Sequence, residues 1–178
     1  MPLIDATGLT ADGFTRPADA AELPPGGVIL PLARLAAEGE LVLARGDRLG
    51  VDLPNTAKLR DIEAFLDRLA LVSIGFPSFA DGRGFSLAKQ IRMRGYLGRL
   101  RASGPLIADQ MRHALGCGFD EVEAPEALLA RQPISQWLAG LGAITLRYQR
   151  DAARGLSILD QRLAARRRLD ERRMAHAA

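Results

Sequence analysis

The stretch Leu69–Gln110, LALVSIGFPSFADGRGFSLAKQIRMRGYLGRLRASGPLIADQ, decides the fold. It opens on an apolar run, Leu69–Phe76, that suits a strand buried on both faces. Pro77 ends the run, and the loop Ser78–Gly84 carries Asp81-Gly82-Arg83-Gly84. A helical pattern starts at Phe85–Ser86, continues to Arg94 and stops at Gly95. A second strand, Arg99–Ala102, empties into Ser103-Gly104-Pro105, and a second helix begins. Twice, then, a strand delivers glycine and arginine to the start of a helix, an arrangement that suits an anion.

Working outward, the same unit repeats. The pattern predicts strands at 69–76, 98–102, 119–123 and 143–148, with helices at 85–94, 105–116 and 126–140 between them. Gly95, Gly118 and Gly142 follow the helices where a left-handed residue is wanted. The expected fold class is α/β, a mostly parallel sheet with right-handed βα crossovers, a small N-terminal β segment and a C-terminal helix. Both half of a βα barrel and an open three-layer sandwich satisfy the pattern.

Upstream, residues 1–27 hold Asp12-Gly13 and Pro24-Pro25-Gly26-Gly27 without a sustained period, and read as a loosely attached segment with a short hairpin. Val28–Leu35 reads as a strand or strand-turn, and Glu40–Ala44 with Arg48–Leu53 as a hairpin around Arg45-Gly46-Asp47. Asn55 or Thr56 is placed to cap a helix reaching Leu66. The expected organisation is a single α/β domain over 28–149 followed by a basic helical tail over 150–178, with a sparse leucine stripe from Leu156 to Leu169.

The chain of 178 residues is long enough for one core. Its net charge of +3 is unevenly spread. From Arg150 on, eight arginines face four carboxylates, so that segment carries +4 and residues 1–149 carry −1. The basic balance belongs to the tail; it is no sign of a nucleic-acid surface on the domain. A basic arm for RNA or an acidic partner, a helix packed on the body and a solvated tail are the three readings of that segment. No apolar run approaches the ~20 residues of a membrane span, and MPLIDATGL does not read as a signal peptide, so a cytoplasmic location is expected.

One cysteine, Cys117, and two histidines, His113 and His176, exclude a disulfide within the chain, a four-cysteine cluster and a four-ligand Cys/His zinc site. His113 and Cys117 fall four apart on a helix and face each other, either as a metal pair or as a buried thiol beside a surface imidazole. Neither metal nor cofactor is expected. No Gly-Lys-Ser/Thr follows the glycines of the 82–84 loop, no GxGxxG is present, and no serine sits in GxSxG.

Ligands of parallel α/β proteins bind beyond the carboxyl ends of the strands. That rule selects Gly82 and Gly84 for close backbone approach, Arg83 as a bidentate donor, Ser86 as an N-cap hydroxyl, and Arg101 and Gln110 as further anion contacts. Asp81 and Asp109 are the candidate acid/base groups. The bland alternative has Arg83 pairing with Asp81 or Asp109 simply to fix the loop.

The run Phe76-Pro-Ser-Phe79-Ala-Asp81-Gly-Arg83-Gly-Phe85-Ser86, followed by Arg92, Gly95-Tyr96, Gly98, Leu100-Arg101-Ala102, Gly104, Asp109-Gln110, Gly118-Phe119-Asp120 and Thr145-Leu-Arg-Tyr-Gln149, resembles the uncharacterised bacterial domain-of-unknown-function family 934. The resemblance covers roughly Val28 to Gln149. Genes of that family lie beside those for sulfite reductase in many proteobacteria, and its members are labelled as oxidoreductases of sulfite reduction. It therefore implies a role in assimilatory sulfate reduction, and it points to Asp81, Arg83, Ser86, Arg101, Asp109 and Gln110 as functional positions. Two departures matter: Pro105 stands where the family has an acidic residue, and the arginine-rich tail lies outside the pattern.

Sulfite reduction needs six electrons through metal or flavin groups, for which this sequence has neither cluster ligands nor a dinucleotide loop. The expectation is an accessory protein that binds a small oxyanion, sulfite reductase or another sulfate-assimilation enzyme. An interaction scaffold and an enzyme acting on a phosphorylated or sulfated metabolite are the alternatives. A homodimer is expected as well, because a small parallel sheet must shield its edges.

Overall fold

A computed structural model of the chain describes residues 1–18 and 23–142, and the body of it, Met1–Leu141, is one compact unit. Short apolar runs form eight strands: β1 Leu3–Asp5, β2 Gly8–Thr10, β3 Phe14–Thr15, β4 Gly27–Pro31, β5 Leu49–Leu53, β6 Leu71–Gly75, β7 Arg99–Ser103 and β8 Glu121–Glu123. All join one sheet in the order β2-β1-β8-β7-β6-β5-β4-β3. From β3 to β8 every neighbour is parallel and next in sequence, while β1 runs antiparallel to both β2 and β8.

That order is the order of a βα barrel. The two edge strands, β2 and β3, are joined by residues 11–13 alone. Four residue steps span at most roughly 14 Å, so the sheet must curl until its edges approach. Of the two architectures left open above, the curled, barrel-like one is observed.

The helices are α1 Leu32–Ala44, α2 Arg83–Met93, α3 Met111–Gly116, α4 Glu126–Arg131 and α5 Ile134–Gly142. The outer face of the sheet, with Leu30, Val51, Val72, Ile74, Leu100 and Val122, forms the main core with Leu35, Ile91, Met111 and Trp137 from the helices. The inner face is different in kind. Phe14, Ile29 and Leu71 make a small apolar cluster on it. Beyond them the register places Asp52, Ser73, Arg101 and Glu121 side by side in one row.

Several expectations are corrected. Residues 1–27, read as loosely attached, supply three strands and the first residue of a fourth. Residues 40–44 do not form a hairpin arm; they end α1, because Leu35, Gly39 and Val42 fall on one buried helical face. Gly46, at φ 73°, turns the chain into β5, which lies parallel to β4. The helix expected from Asn55 or Thr56 to Leu66 is instead two single 3-10 turns, Leu59–Asp61 and Leu66–Arg68. Their N–H groups close back three residues, and Lys58 N–H is taken by the Asp61 carboxylate at 2.8 Å. The helix expected at 126–140 breaks at Pro133, which can donate no bond inside a helix. The expected strand 143–148 and tail helix 156–174 lie outside the described residues.

Candidate functional site

At the carboxyl ends of β5, β6 and β7 the chain leaves the sheet through Pro54-Asn55, Phe76-Pro77 and Gly104-Pro105. Phe76 N–H donates to Ser103 O at 2.7 Å, and Gly104 N–H to Glu123 O at 2.9 Å, so the exits of β6 and β7 are tied to each other and to the end of β8. The Phe76 ring turns toward the outer core, 4.9 Å from the Phe85 ring and 5.9 Å from that of Phe119. Gly84 exists for this ring. A Cβ on it would stand 2.5 Å from Phe76 Cζ, so only glycine lets the first turn of α2 close over the phenyl face.

Helix α2 starts earlier than its sequence suggests. Gly82 is its N-cap and no side chain caps it. Ser86, expected as the N-cap hydroxyl, therefore lies inside the first turns of the helix and is exposed. Asp81 folds the loop: it accepts from Arg83 N–H at 3.2 Å and from Arg83 Nε and Nη2 at 3.0 and 2.6 Å. The guanidinium beside it, and then the Asn55 amide, hold the Asp81 carboxyl well below the usual carboxylate range. A carboxylate held that low stays ionised and accepts protons poorly. Gln110 donates to Phe79 O at 2.7 Å and accepts from Ile107 N–H at 3.2 Å, which pins the same loop from its other side. Asp109 is exposed on the neighbouring 3-10 turn, Ala108–Gln110, and makes no ion pair among the described residues.

Two cavities open at this rim. One of about 430 Å³ is lined by Asn55, Thr56, Lys58, Arg83, Ser86 and Gln90. The other, of about 340 Å³, is lined by Pro54, Asn55, Gly75, Phe76, Pro77 and Ser103. Asn55 belongs to both. It is 8% exposed, and its Nδ2 has no hydrogen-bond partner although it lies near enough to influence Asp81. A buried donor in that state costs roughly 1–3 kcal/mol. Lys58 makes no ion pair among the described residues, and Arg83, with both Nε and Nη2 spent on Asp81, keeps Nη1 to offer. The larger cavity is thus lined by two cationic side chains and no carboxylate.

Arg101 is elsewhere. It is fully buried on the inner face, where Nε donates to Glu121 at 2.8 Å and the two terminal nitrogens donate to Asp12 at 2.7 and 2.8 Å. Arg16 sits over the same face and spans the curl, bound to both oxygens of Asp52 on β5 (2.6 and 3.2 Å) and of Glu123 on β8 (2.8 and 2.7 Å). Arg99 joins through Glu121. Burial works against a charged guanidinium, yet the facing carboxylates win and raise the pKa of both Arg16 and Arg101. The network is saturated, and what it does is fasten residues 12–16 across the curled sheet.

The structure therefore gathers Arg83 and Ser86 in one cavity, puts Gly82, Gly84 and Asp81 in the loop beside it, and keeps Arg101, Asp109 and Gln110 out of its lining. Asn55, Lys58 and Gln90 were not singled out by sequence. The signal for Asn55 was faint: an Asn after Pro reads as a helix cap. His113 and Cys117 do face each other, Sγ to Nε2 at 3.6 Å, and burial pushes the Cys117 thiol up, as expected of an inert thiol.

Comparison with known families gives one match: the family model described as bacterial protein of unknown function (DUF934) covers residues 50–158, which begins at β5 and takes in both cavities. No curated protein matches the chain.

Proposed function

The chain belongs to the bacterial family of unknown function DUF934, and on that premise we propose that it is an accessory protein of sulfite or sulfate reduction that holds a small oxyanion in the Lys58–Arg83 cavity. The observation that supports this reading is Asn55 Nδ2, buried without an acceptor at the cavity wall. An anion oxygen there would satisfy it. Lys58 and the free edge of Arg83 supply charge, and the start of α2 adds a partial positive charge. Asp81 offsets part of that charge, which favours a singly or doubly charged anion held at modest strength.

Calorimetric titration of the full chain with sulfite, sulfate and phosphate tests the reading. Saturable one-site binding is expected in the millimolar range or tighter. Lys58→Ala or Arg83→Ala should each remove a charge-assisted contact of about 1.5 kcal/mol, roughly tenfold in Kd. No binding at millimolar anion, or wild-type affinity in both variants, contradicts it.

The Asp81–Arg83 chelate favours a second reading, since an arginine already satisfied by its own loop has no need of an anion, and the protein then acts as an interaction scaffold that does not use Arg83. On that reading the protein escorts the reductase. Its copurification with sulfite reductase would then be unchanged by Arg83→Ala.

A further inference from the structure

We infer that the ligand of this rim is an organic anion: a phosphate, sulfate or sulfonate group carried on a small carbon body, with the head in the Lys58–Arg83 cavity and the body in the cavity between Gly75 and Ser103. The inference rests on the anion site proposed above and adds the second cavity to it.

Three observations carry the addition. First, the two cavities share Asn55, so its unpartnered Nδ2 stands where a head group would meet a body. Second, the smaller cavity is lined by Pro54, Asn55, Gly75, Phe76, Pro77 and Ser103 and by no charged residue, which suits a neutral body and offers no cation to a bare inorganic anion. Third, its floor is made by Gly75 and Ser103, register neighbours at the last positions of β6 and β7.

Gly75 is not required by the backbone, since it lies outside the left-handed region. A Cβ there would meet only Leu53 O, at 3.5 Å, an ordinary contact. What its missing side chain provides is space. The Ser103 hydroxyl beside it has no partner in the described residues and faces that space as donor or acceptor for a ligand hydroxyl or carbonyl. A four- or five-atom oxyanion fills neither volume; about 430 and 340 Å³ together are in the range of a small-metabolite site.

The test compares inorganic phosphate with phenyl phosphate on the full chain by calorimetry, in the wild type, in Gly75→Val and in Ser103→Val. Each substitution fills the smaller cavity from a different strand, so one remains informative if the other does not fold. Phenyl phosphate is expected to bind at least tenfold tighter than phosphate to the wild type. Either substitution should abolish that advantage and leave phosphate affinity unchanged. Equal affinity of the two anions for the wild type, or an advantage that survives the folded cavity-filling variant, overturns the inference while the oxyanion site stands. Absence of binding by both anions overturns the oxyanion site, and the inference with it.

Discussion

At the scale of single residues, the glycine-rich loop was legible in sequence but its glycines were misassigned in purpose. Gly82 and Gly84 read as room for a ligand. Gly82 has φ −83° and needs no special freedom, whereas Gly84 is dictated by the Phe76 ring. Gly84→Ala should destabilise the protein by about 1–3 kcal/mol, the range for overpacking a filled core. Urea or thermal melts would show it; an unchanged midpoint would mean that α2 does not depend on this contact. Asp81–Arg83 pairing was one of two readings of a common turn dipeptide, and distance alone decides it. Asn55 was invisible as a site residue because burial, not identity, makes an amide an orphan. Arg101 was expected near the carboxyl end of its strand, but β7 runs on to Ser103 and puts it at the middle, and its partners Asp12 and Glu121 come from 89 and 20 residues away. No local pattern announces them.

At the scale of elements, the strand–helix alternation from Leu71 to Glu123 was readable because parallel strands buried between helices are apolar and punctuated by glycine. The failures have physical causes. ELVLA at the end of α1 alternates like a strand and is helical because Leu35, Gly39 and Val42 pack as one face, with Phe65 fitting against Gly39. Pro133 splits one expected helix into two. The segment 12–16 has Phe14 as its one apolar residue, and it is held by strand pairing with β4 and by the ion pairs of Asp12 and Arg16, neither of which shows in a local pattern.

That attachment carries a pH dependence with a definite sign. Burial alone would raise the Asp12 carboxyl, but the hydrogen bonds and charge of Arg101 outweigh it and leave the group below its ordinary value of 3.8. A depressed folded-state pKa means that the unfolded chain takes up the proton more readily. The stabilisation is therefore fully present above pH 3.8 and is lost as the pH falls through the folded-state value. Asp12→Asn should melt below the wild type at neutral pH, and the gap should close on acidification below that point. A gap that stays constant with pH would show that Asp12 contributes shape and not charge.

At the scale of the whole molecule, the sheet is barrel-like in order and unusual in what it encloses. Its inner face carries Asp52, Ser73, Arg101, Glu121 and Glu123, closed over by Arg16, while its carboxyl rim carries the two cavities. The family match starts at β5, so β1–β4 and α1 stand before it, yet the sheet's order places these strands on both flanks of the matched ones. The fold is thus assembled from both parts of the chain, while both cavities lie within the matched part. The same Arg92 that carries the family resemblance holds Gly118 O, Tyr96 O and Gly98 O and the Asp120 carboxylate at 2.7–2.9 Å, on the amino side of β7 and β8. A long motif can therefore mark a latch as readily as a site.

Asn55 is the single asparagine of the chain, which makes the central claim directly readable. Protein labelled with nitrogen-15 in asparagine alone would show one side-chain amide pair in a two-dimensional NMR spectrum. On titration with sulfite or phosphate, that pair is expected to move progressively and saturate, and the movement should weaken in Arg83→Ala. Resonances that stay in place up to millimolar anion would contradict the account, because the Asn55 amide would then not meet a bound anion.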